Sequence, residues 1–180
     1  MTFDQFHEKS KVRIQKITKQ ISLSKYLFVF TLLGSCHRLV KWFMDQEGIS
    51  NNLISVNMPY STIAIDQELS FKSNSYVNTN ICRELAINNF NKYSKMINMP
   101  ENLISLAVSS SLQTNRRKLS SDRSFVSLFG YEINSNYEIN FLDHNLNRKH
   151  QDYIISYLVL NIFFDCKFFL IQKCYFLKDS

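Results

Sequence analysis

The sequence predicts an α/β domain in which a layered sheet of about four to five mostly parallel strands carries helices on both faces. The first observation is that short apolar runs, rich in aromatic and β-branched residues, alternate with stretches of helical spacing. The second is that 45% of the 180 residues are hydrophobic, which suffices for one sizeable core. The third is that no Gly-, Pro- or Ser-rich linker divides the chain, apart from a polar interval at residues 109–123.

The first half of the chain alternates helices with strands. Residues 3–21 mix Lys and Gln with apolar residues at loosely helical spacing, which predicts an amphipathic helix. "KYLFVFTLL" predicts a strand buried on both faces, because strands under two helical layers have continuous apolar runs. A short helix follows Gly34 and is expected to end near Gly48. "NLISVNM" predicts the second strand, and "PYSTIAIDQEL" starts a short helix or turn at Pro59.

The second half contains one clear helix, three strands and a closing helix. Residues 80–96 have one apolar face, with serines and threonines just upstream as candidate N-caps. "NLISLAVSS" and "SFVSLFGYEI" predict the third and fourth strands, and the alternating "NYEINFL" predicts an antiparallel edge strand. A long helix is expected from about Arg148, with an apolar stripe at Ile154, Ile155, Leu158, Val159 and Ile162. The predicted organisation is an N-terminal helix at 1–23, an α/β domain at 24–162, and an apolar, basic tail at 163–180 that extends the last helix.

Charge and cysteine usage limit the classes of partner. Lys and Arg outnumber Asp and Glu by 21 to 15, a mild excess that suits nucleotides, acidic partners or anionic surfaces without choosing among them. No nucleic-acid-binding motif is present, so we expect no nucleic-acid partner. The four cysteines form no C-x-x-C pair, which indicates neither a metal site nor a disulfide framework. The N-terminus lacks a secretory apolar core, and the apolar runs are too short or too interrupted to span a membrane, which predicts a soluble cytoplasmic protein.

Three segments are expected to meet at one edge of the sheet, because ligands of such sheets bind beyond the carboxyl ends of the strands. These segments are residues 33–37, 59–65 and 109–123. Their motifs are "LLGSCH" leading into "RLVKWFMDQEG", then "VNMPYS", and "LAVSSSLQTNRRKLSSDRSFVSL". Together with "VNTNICRELA" and "HQDYIISYLVLNI", and in this order and spacing, they resemble the CinA C-terminal domain family of nicotinamide-nucleotide amidases, in its eukaryotic form. The resemblance covers roughly residues 24–162 and implies an α/β fold.

The resemblance also implies that the amidase chemistry has been lost. In the family a serine nucleophile acts with a tyrosine and a lysine on nicotinamide mononucleotide. The serine's position falls on Leu33 and the lysine's on Ile65, whereas the tyrosine is retained as Tyr60. A serine needs a nearby base or cation to be deprotonated, and two of the three members are missing. The resemblance therefore predicts a catalytically inactive domain without a cofactor.

The polar interval after the third strand is the candidate ligand-binding segment. The glycines with which the family's loops surround a phosphate are absent here, so backbone amides cannot close around an anion. Side chains able to hold a nucleotide or small anion instead are Ser109, Ser110, Thr114, Arg116, Lys118 and Arg123. The alternative interpretation is a solvated basic loop.

Several alternatives stay open from the sequence alone. An active amidohydrolase could use Ser35 as a relocated nucleophile assisted by Tyr60, although Ser35 is better suited to cap the following helix. A rebuilt Cys36 and His37 pair is a further alternative, but adjacent helical residues do not face each other. Tyr60 is also compatible with a packed ring that has no role in binding.

Two further hypotheses concern metal binding and the extent of the protein. "DHNLNRKHQD" contains four candidate metal ligands but has the composition of a solvated turn into a helix. Those ligands would be Asp143, His144, His150 and Asp152. Some eukaryotic proteins with this domain carry a nucleotidylyltransferase-like domain after it, so the chain is also compatible with the N-terminal part of such a protein. A homo-oligomer is compatible with the sequence as well.

Overall fold

The computed structural model of the chain describes residues 2–114, 121–142 and 146–168 and forms a five-stranded mixed sheet with helices on both faces. This architecture confirms the predicted fold class. The helices are α1 (Phe3–Ser22), α2 (His37–Met44), α3 (Thr62–Leu69), α4 (Thr79–Ser94) and α5 (Arg148–Phe168), with 3-10 turns at Ile49–Asn51 and Pro100–Asn102. The strands are β1 (Leu27–Leu33), β2 (Leu53–Asn57), β3 (Leu103–Ser111), β4 (Arg123–Gly130) and β5 (Ile133–Asn140).

The sheet has a parallel half and an antiparallel half. Its strand order is β2-β1-β3-β4-β5. β1 pairs in parallel with both β2 and β3, whereas β4 pairs antiparallel with β3 and with β5. The parallel pairs are connected through helices, as parallel strands require, and β4 and β5 are joined by a two-residue turn. The carboxyl ends of β1, β2 and β3 therefore lie along one edge of the sheet.

The central strand β1 is buried on both faces, as its apolar run predicts. Phe28 and Phe30 pack with α1, α2 and α5 on one face. Leu33 points to the opposite face and packs with α3 and α4. On that second face Thr31 accepts a hydrogen bond from the Asn89 side chain of α4 at 2.6 Å. Because successive strand residues alternate between faces, one continuous apolar strand supplies both halves of the core.

Several helix boundaries follow from capping side chains. The Thr2 side chain and Gln5 form a reciprocal capping box at the start of α1. Ser61 caps α3 by accepting from the amide of Ala64. The cap of α4 is Asn78, which accepts from the amide of Ile81, so the prediction of a serine or threonine cap was wrong. No helix in the described ranges is long and apolar enough to cross a membrane.

Two boundaries differ clearly from those predicted, at the end of α2 and between β4 and β5. α2 ends at Met44, before Gly48, which instead has a left-handed conformation at the start of a 3-10 turn. The turn after Gly130 places Ile133 at the start of β5 rather than at the end of β4. The closing helix α5 continues to Phe168 and buries Phe163 in the core, while residues 169–180 lie outside the described ranges.

Candidate functional site

The edge formed by the ends of β1, β2 and β3 is where all three predicted segments begin. We call it the carboxyl edge, and it comprises residues 33–37, 58–61 and 109–114. Gly34 has a φ of +79°, and a Cβ added to it would lie 2.6 Å from the carbonyl oxygen of Ser110. Only glycine fits this close approach, so the turn after β1 lies directly against the end of β3.

The hydroxyl of Ser35 belongs to a buried chain of serines rather than to an open site. Its Oγ lies 2.5 Å from Oγ of Ser110, which in turn lies 2.6 Å from Oγ of Ser124 on β4. Ser35 is only 5% exposed. It is not the N-cap of α2: that position is taken by Cys36, which has a left-handed backbone conformation and makes no capping hydrogen bond through its side chain. The capping interpretation of Ser35 was therefore wrong.

Leu33 and Ile65, the two aliphatic residues at the family's serine and lysine positions, belong to the same apolar cluster. Leu33 is 4% exposed and Ile65 is 8% exposed. The cluster joins the end of β1 to α3, α4 and the neighbouring strands. Its other buried members are Leu69, Ile81, Cys82, Leu85, Ala86, Ala107 and Phe125. The structure thus places both positions in one apolar cluster.

Tyr60 does not belong to this cluster, and its side chain is exposed to solvent. It is 88% exposed, in the segment between β2 and α3, so the interpretation as a packed ring was wrong. Because Ser35 is buried and Tyr60 projects from the surface, the pair proposed for a relocated hydrolase is not enclosed in a common pocket.

The candidate ligand-binding residues are mostly engaged with the protein itself. Ser109 donates its hydroxyl hydrogen to the carbonyl of Tyr76 at 2.6 Å. Arg123 places its guanidinium 5.4 Å from the ring centre of Phe125, and its buried Nε has no hydrogen-bond partner among the described residues. Thr114 is exposed at the end of the segment, while Arg116 and Lys118 lie outside the described residues. Ser109 and Ser110 are therefore strand residues of β3 and do not belong to an open loop.

Cys36 has the environment of an inert thiol. It is fully buried, and burial, with the negative charge of Asp152 as the next cause, raises the pKa of its thiol far above the ordinary value. The thiolate is the nucleophilic form of cysteine, so this environment disfavours nucleophilic chemistry at Cys36.

Asp152, which the sequence suggested only as a candidate metal ligand, is instead a buried partner of this edge. It is 1% exposed on α5, and one carboxylate oxygen lies 3.0 Å from His37 Nδ1 while the other lies 3.7 Å from Arg38 Nε. Burial raises the pKa of this carboxyl, although the side chains of His37 and Arg38 and the backbone amides of Cys36 and His37 oppose that shift. A buried carboxylate thus faces the positive N-terminal end of α2.

The interpretation of the segment before α5 as a solvated turn was wrong for Asp152. Its signal in the sequence was its spacing: Asp152 shares a helical face with the buried Ile155, Ser156 and Val159. His150 instead stacks on the ring of Phe3 at 3.9 Å between centroids. Asp143 and His144 lie outside the described ranges, within which no group of three metal-binding side chains occurs.

Comparison with known proteins identifies solved structures that share this fold. No protein-family model matches the chain, and no curated protein matches it in sequence. Solved structures do match: a competence or damage-inducible protein from Enterobacter asburiae has a TM-score of 0.70 at 10% identity, over 85% of this chain and 97% of that chain. A CinA superfamily protein from Escherichia coli has a TM-score of 0.65 at 9% identity, over 84% and 89%.

A third match is the competence/damage inducible protein CihA from Agrobacterium tumefaciens, with a TM-score of 0.63 at 9% identity over 83% of this chain and 93% of that chain. At this level of identity the likeness concerns the fold alone. The chain is therefore an α/β domain with a CinA-like fold, as the order of its motifs implied.

Proposed function

We propose that this CinA-like domain is not an amidase and that it works as a binding or scaffold domain. The observation that carries the proposal is the burial of Leu33 and Ile65 in one apolar cluster. These are the positions that the family resemblance assigns to the nucleophilic serine and the lysine. Neither side chain has an atom that can attack a carbonyl or transfer a proton.

The remaining polar groups of the carboxyl edge support the same proposal. A nucleophile must be reachable by its substrate and must be activated by a neighbouring base. Ser35 is buried and bonded to another serine, and the thiol of Cys36 is buried with a raised pKa. Tyr60 is reachable, but as an exposed ring it has no enclosed substrate position beside it.

The proposal also bears on anion binding at the carboxyl edge. Helix N-termini attract anions because their amides are unpaired and the helix dipole is positive there. The N-terminus of α2 already faces the buried carboxylate of Asp152. A phosphate brought to this position would have to displace the carboxyl group of Asp152, which makes this turn an unfavourable position for the nucleotide or small anion that the sequence suggests.

A hydrolytic function is the second candidate, and the His37–Asp152 pair is the observation that favours it. A buried carboxylate 3.0 Å from one imidazole nitrogen, with the ring 63% exposed, is an arrangement that fixes a general base. Such a centre would activate a water molecule directly and would not depend on Ser35.

The test is ammonia release from nicotinamide mononucleotide by the purified chain. We expect no release above that of buffer, and no difference between the wild type and the Ser35→Ala or His37→Asn variants. Circular dichroism and the urea unfolding midpoint verify that each variant is folded. Turnover that Ser35→Ala abolishes would support the relocated serine nucleophile. Turnover that His37→Asn alone abolishes would support the water-activating centre, and either result would overturn the proposal.

A further inference from the structure

A groove of about 530 Å³ lies between α1 and α2, on the face of the sheet opposite to the cluster of Leu33 and Ile65. His7 and Arg38 lie at one end of it. At the other end Thr18 contacts the side chain of Gln46 at 3.4 Å. The groove is thus elongated along the two helices, and of the residues discussed at the carboxyl edge only Arg38 lines it.

The lining of the groove is strongly basic. Its cations are Lys11, Lys19, Arg38 and Lys41, and the one lining carboxylate is that of Asp45. Lys19 forms no ion pair with any residue in the described ranges. Arg38 is 3.7 Å from Asp152, and its Nε donates no hydrogen bond to the described part of the chain. Three of the four cations thus lie near a carboxylate, and the positive charge left unpaired among the described residues is that of Lys19. On a concave surface this excess of cations favours an anionic ligand.

The two paired lysines of the groove remain available to a ligand. Lys11 lies 2.6 Å from Glu8 and Lys41 lies 2.6 Å from Asp45, with at least half of each side chain exposed to solvent. Exposed ion pairs of this kind are weak because water competes for both partners. An incoming phosphate, which accepts charge-assisted hydrogen bonds, is expected to displace the carboxylates from these ammonium groups.

The Arg38 end of the groove is aromatic. Trp42, which is half-buried, meets Tyr153 edge to face at 5.3 Å between centroids. The guanidinium of Arg38 lies 5.5 Å from the centre of the Tyr153 ring. Tyr153 is only 2% exposed, so Trp42 supplies the ring surface that is open to the groove. Ligand sites combine apolar ring surface with a few polar groups that fix orientation, and here Trp42 adjoins a row of cations.

We propose that this groove binds a nucleoside phosphate. Its flat heteroaromatic base contacts the exposed part of Trp42, and its phosphates lie along Lys11, Lys41 and Lys19. The cations alone would accept any anion, but the adjacent aromatic surface selects one that carries a ring. The inference rests on the proposed function in one respect only: both take the chain to be a binding domain. Ammonia release tests that function, whereas the experiment below tests the groove, so the two failures are distinguishable.

Trp42 makes the test direct, because it is the only tryptophan of the chain. Its fluorescence, excited at the red edge where adenine does not absorb, reports occupancy of the groove. The full chain is titrated with ATP, with adenosine and with inorganic pyrophosphate. We expect saturable quenching by ATP, and weaker binding of the two fragments, since each offers only one of the two chemistries.

Two double variants of α1 distinguish ATP binding in the groove from a general effect of positive charge on ATP binding. Lys11→Gln with Lys19→Gln removes two lining cations, whereas Lys9→Gln with Lys16→Gln removes the same charge from exposed positions outside the groove. We expect the first to weaken ATP binding by about 10-fold or more and the second by less than about 2-fold. Equal losses in both variants, pyrophosphate binding as tightly as ATP, or no quenching by ATP would each overturn the proposal.

Discussion

At the scale of single residues, Gly34 and Gly48 share a backbone conformation and differ in their surroundings. Both have a φ of +79°. An added Cβ at Gly34 would lie 2.6 Å from a strand carbonyl, whereas at Gly48 nothing lies within 4 Å. We expect Gly48→Ala to cost about 1 kcal/mol for its left-handed conformation, and Gly34→Ala to cost roughly 3 kcal/mol or more because a clash is added. Urea unfolding of both variants measures the difference, and equal costs would show that the turn does not contact β3 so closely.

Leu33 and Asp152 show which features of the candidate site could be predicted from the sequence and which could not. Leu33 could be assigned its position because the order and spacing of the surrounding motifs resemble a family. Its burial then follows from the apolar run in which it lies. Asp152 could not be assigned, because a charged residue is ordinarily placed on the solvated face of a helix. Its burial depends on His37 and Arg38, which lie more than 100 residues away and meet it only after folding.

At the scale of elements, Asp152 couples α5 to the start of α2 and is expected to make their packing sensitive to pH. Its pKa is raised above the ordinary value of 3.8, chiefly by burial. The folded chain therefore holds more protons than the unfolded chain between these two values. The stability from this group is greatest below pH 3.8 and falls as the pH rises through the raised pKa.

The Asp152→Asn variant tests that coupling, because an amide does not titrate. We expect the free energy of unfolding of the variant to rise, relative to the wild type, as the pH increases through this window. Urea unfolding at a series of pH values measures the difference. Asp165→Asn, also on α5 but partly exposed, is the matched control and is expected to show no such trend. A wild-type advantage that grows with pH would contradict the account.

The elements themselves were predicted better than their ends. β1 was recognisable because its aromatic and β-branched run suits burial between two helical layers. The cap of α4 was not, since several neighbouring serines, threonines and asparagines can cap a helix equally well and only the path of the backbone selects Asn78. Similarly, Tyr131 and Glu132 are not a typical two-residue turn, so the start of β5 was placed too late.

At the scale of the whole molecule, the sheet divides the core into two parts, one on each face, and the two parts differ in composition and extent. One face, covered by α1, α2 and α5, carries most of the aromatic core. The other face, covered by α3 and α4, extends its apolar cluster to the carboxyl edge. The sequence predicted the layers, because periodicity and burial are local properties. It could not predict whether the edge would be open or packed, since that depends on contacts among β1, α3 and α4.

The central claim is that the two positions that the family resemblance assigns to catalysis serve packing in this chain, and core truncation measures this most directly. Leu33→Ala and Ile65→Ala are compared with Leu142→Ala and Ile63→Ala, whose side chains are 86% and 80% exposed. We expect each buried truncation to lower the free energy of unfolding by about 2–4 kcal/mol, and each exposed one by less than about 0.5 kcal/mol. Losses at Leu33 and Ile65 as small as those of the exposed controls would mean that the carboxyl edge is an open site, which would contradict the account.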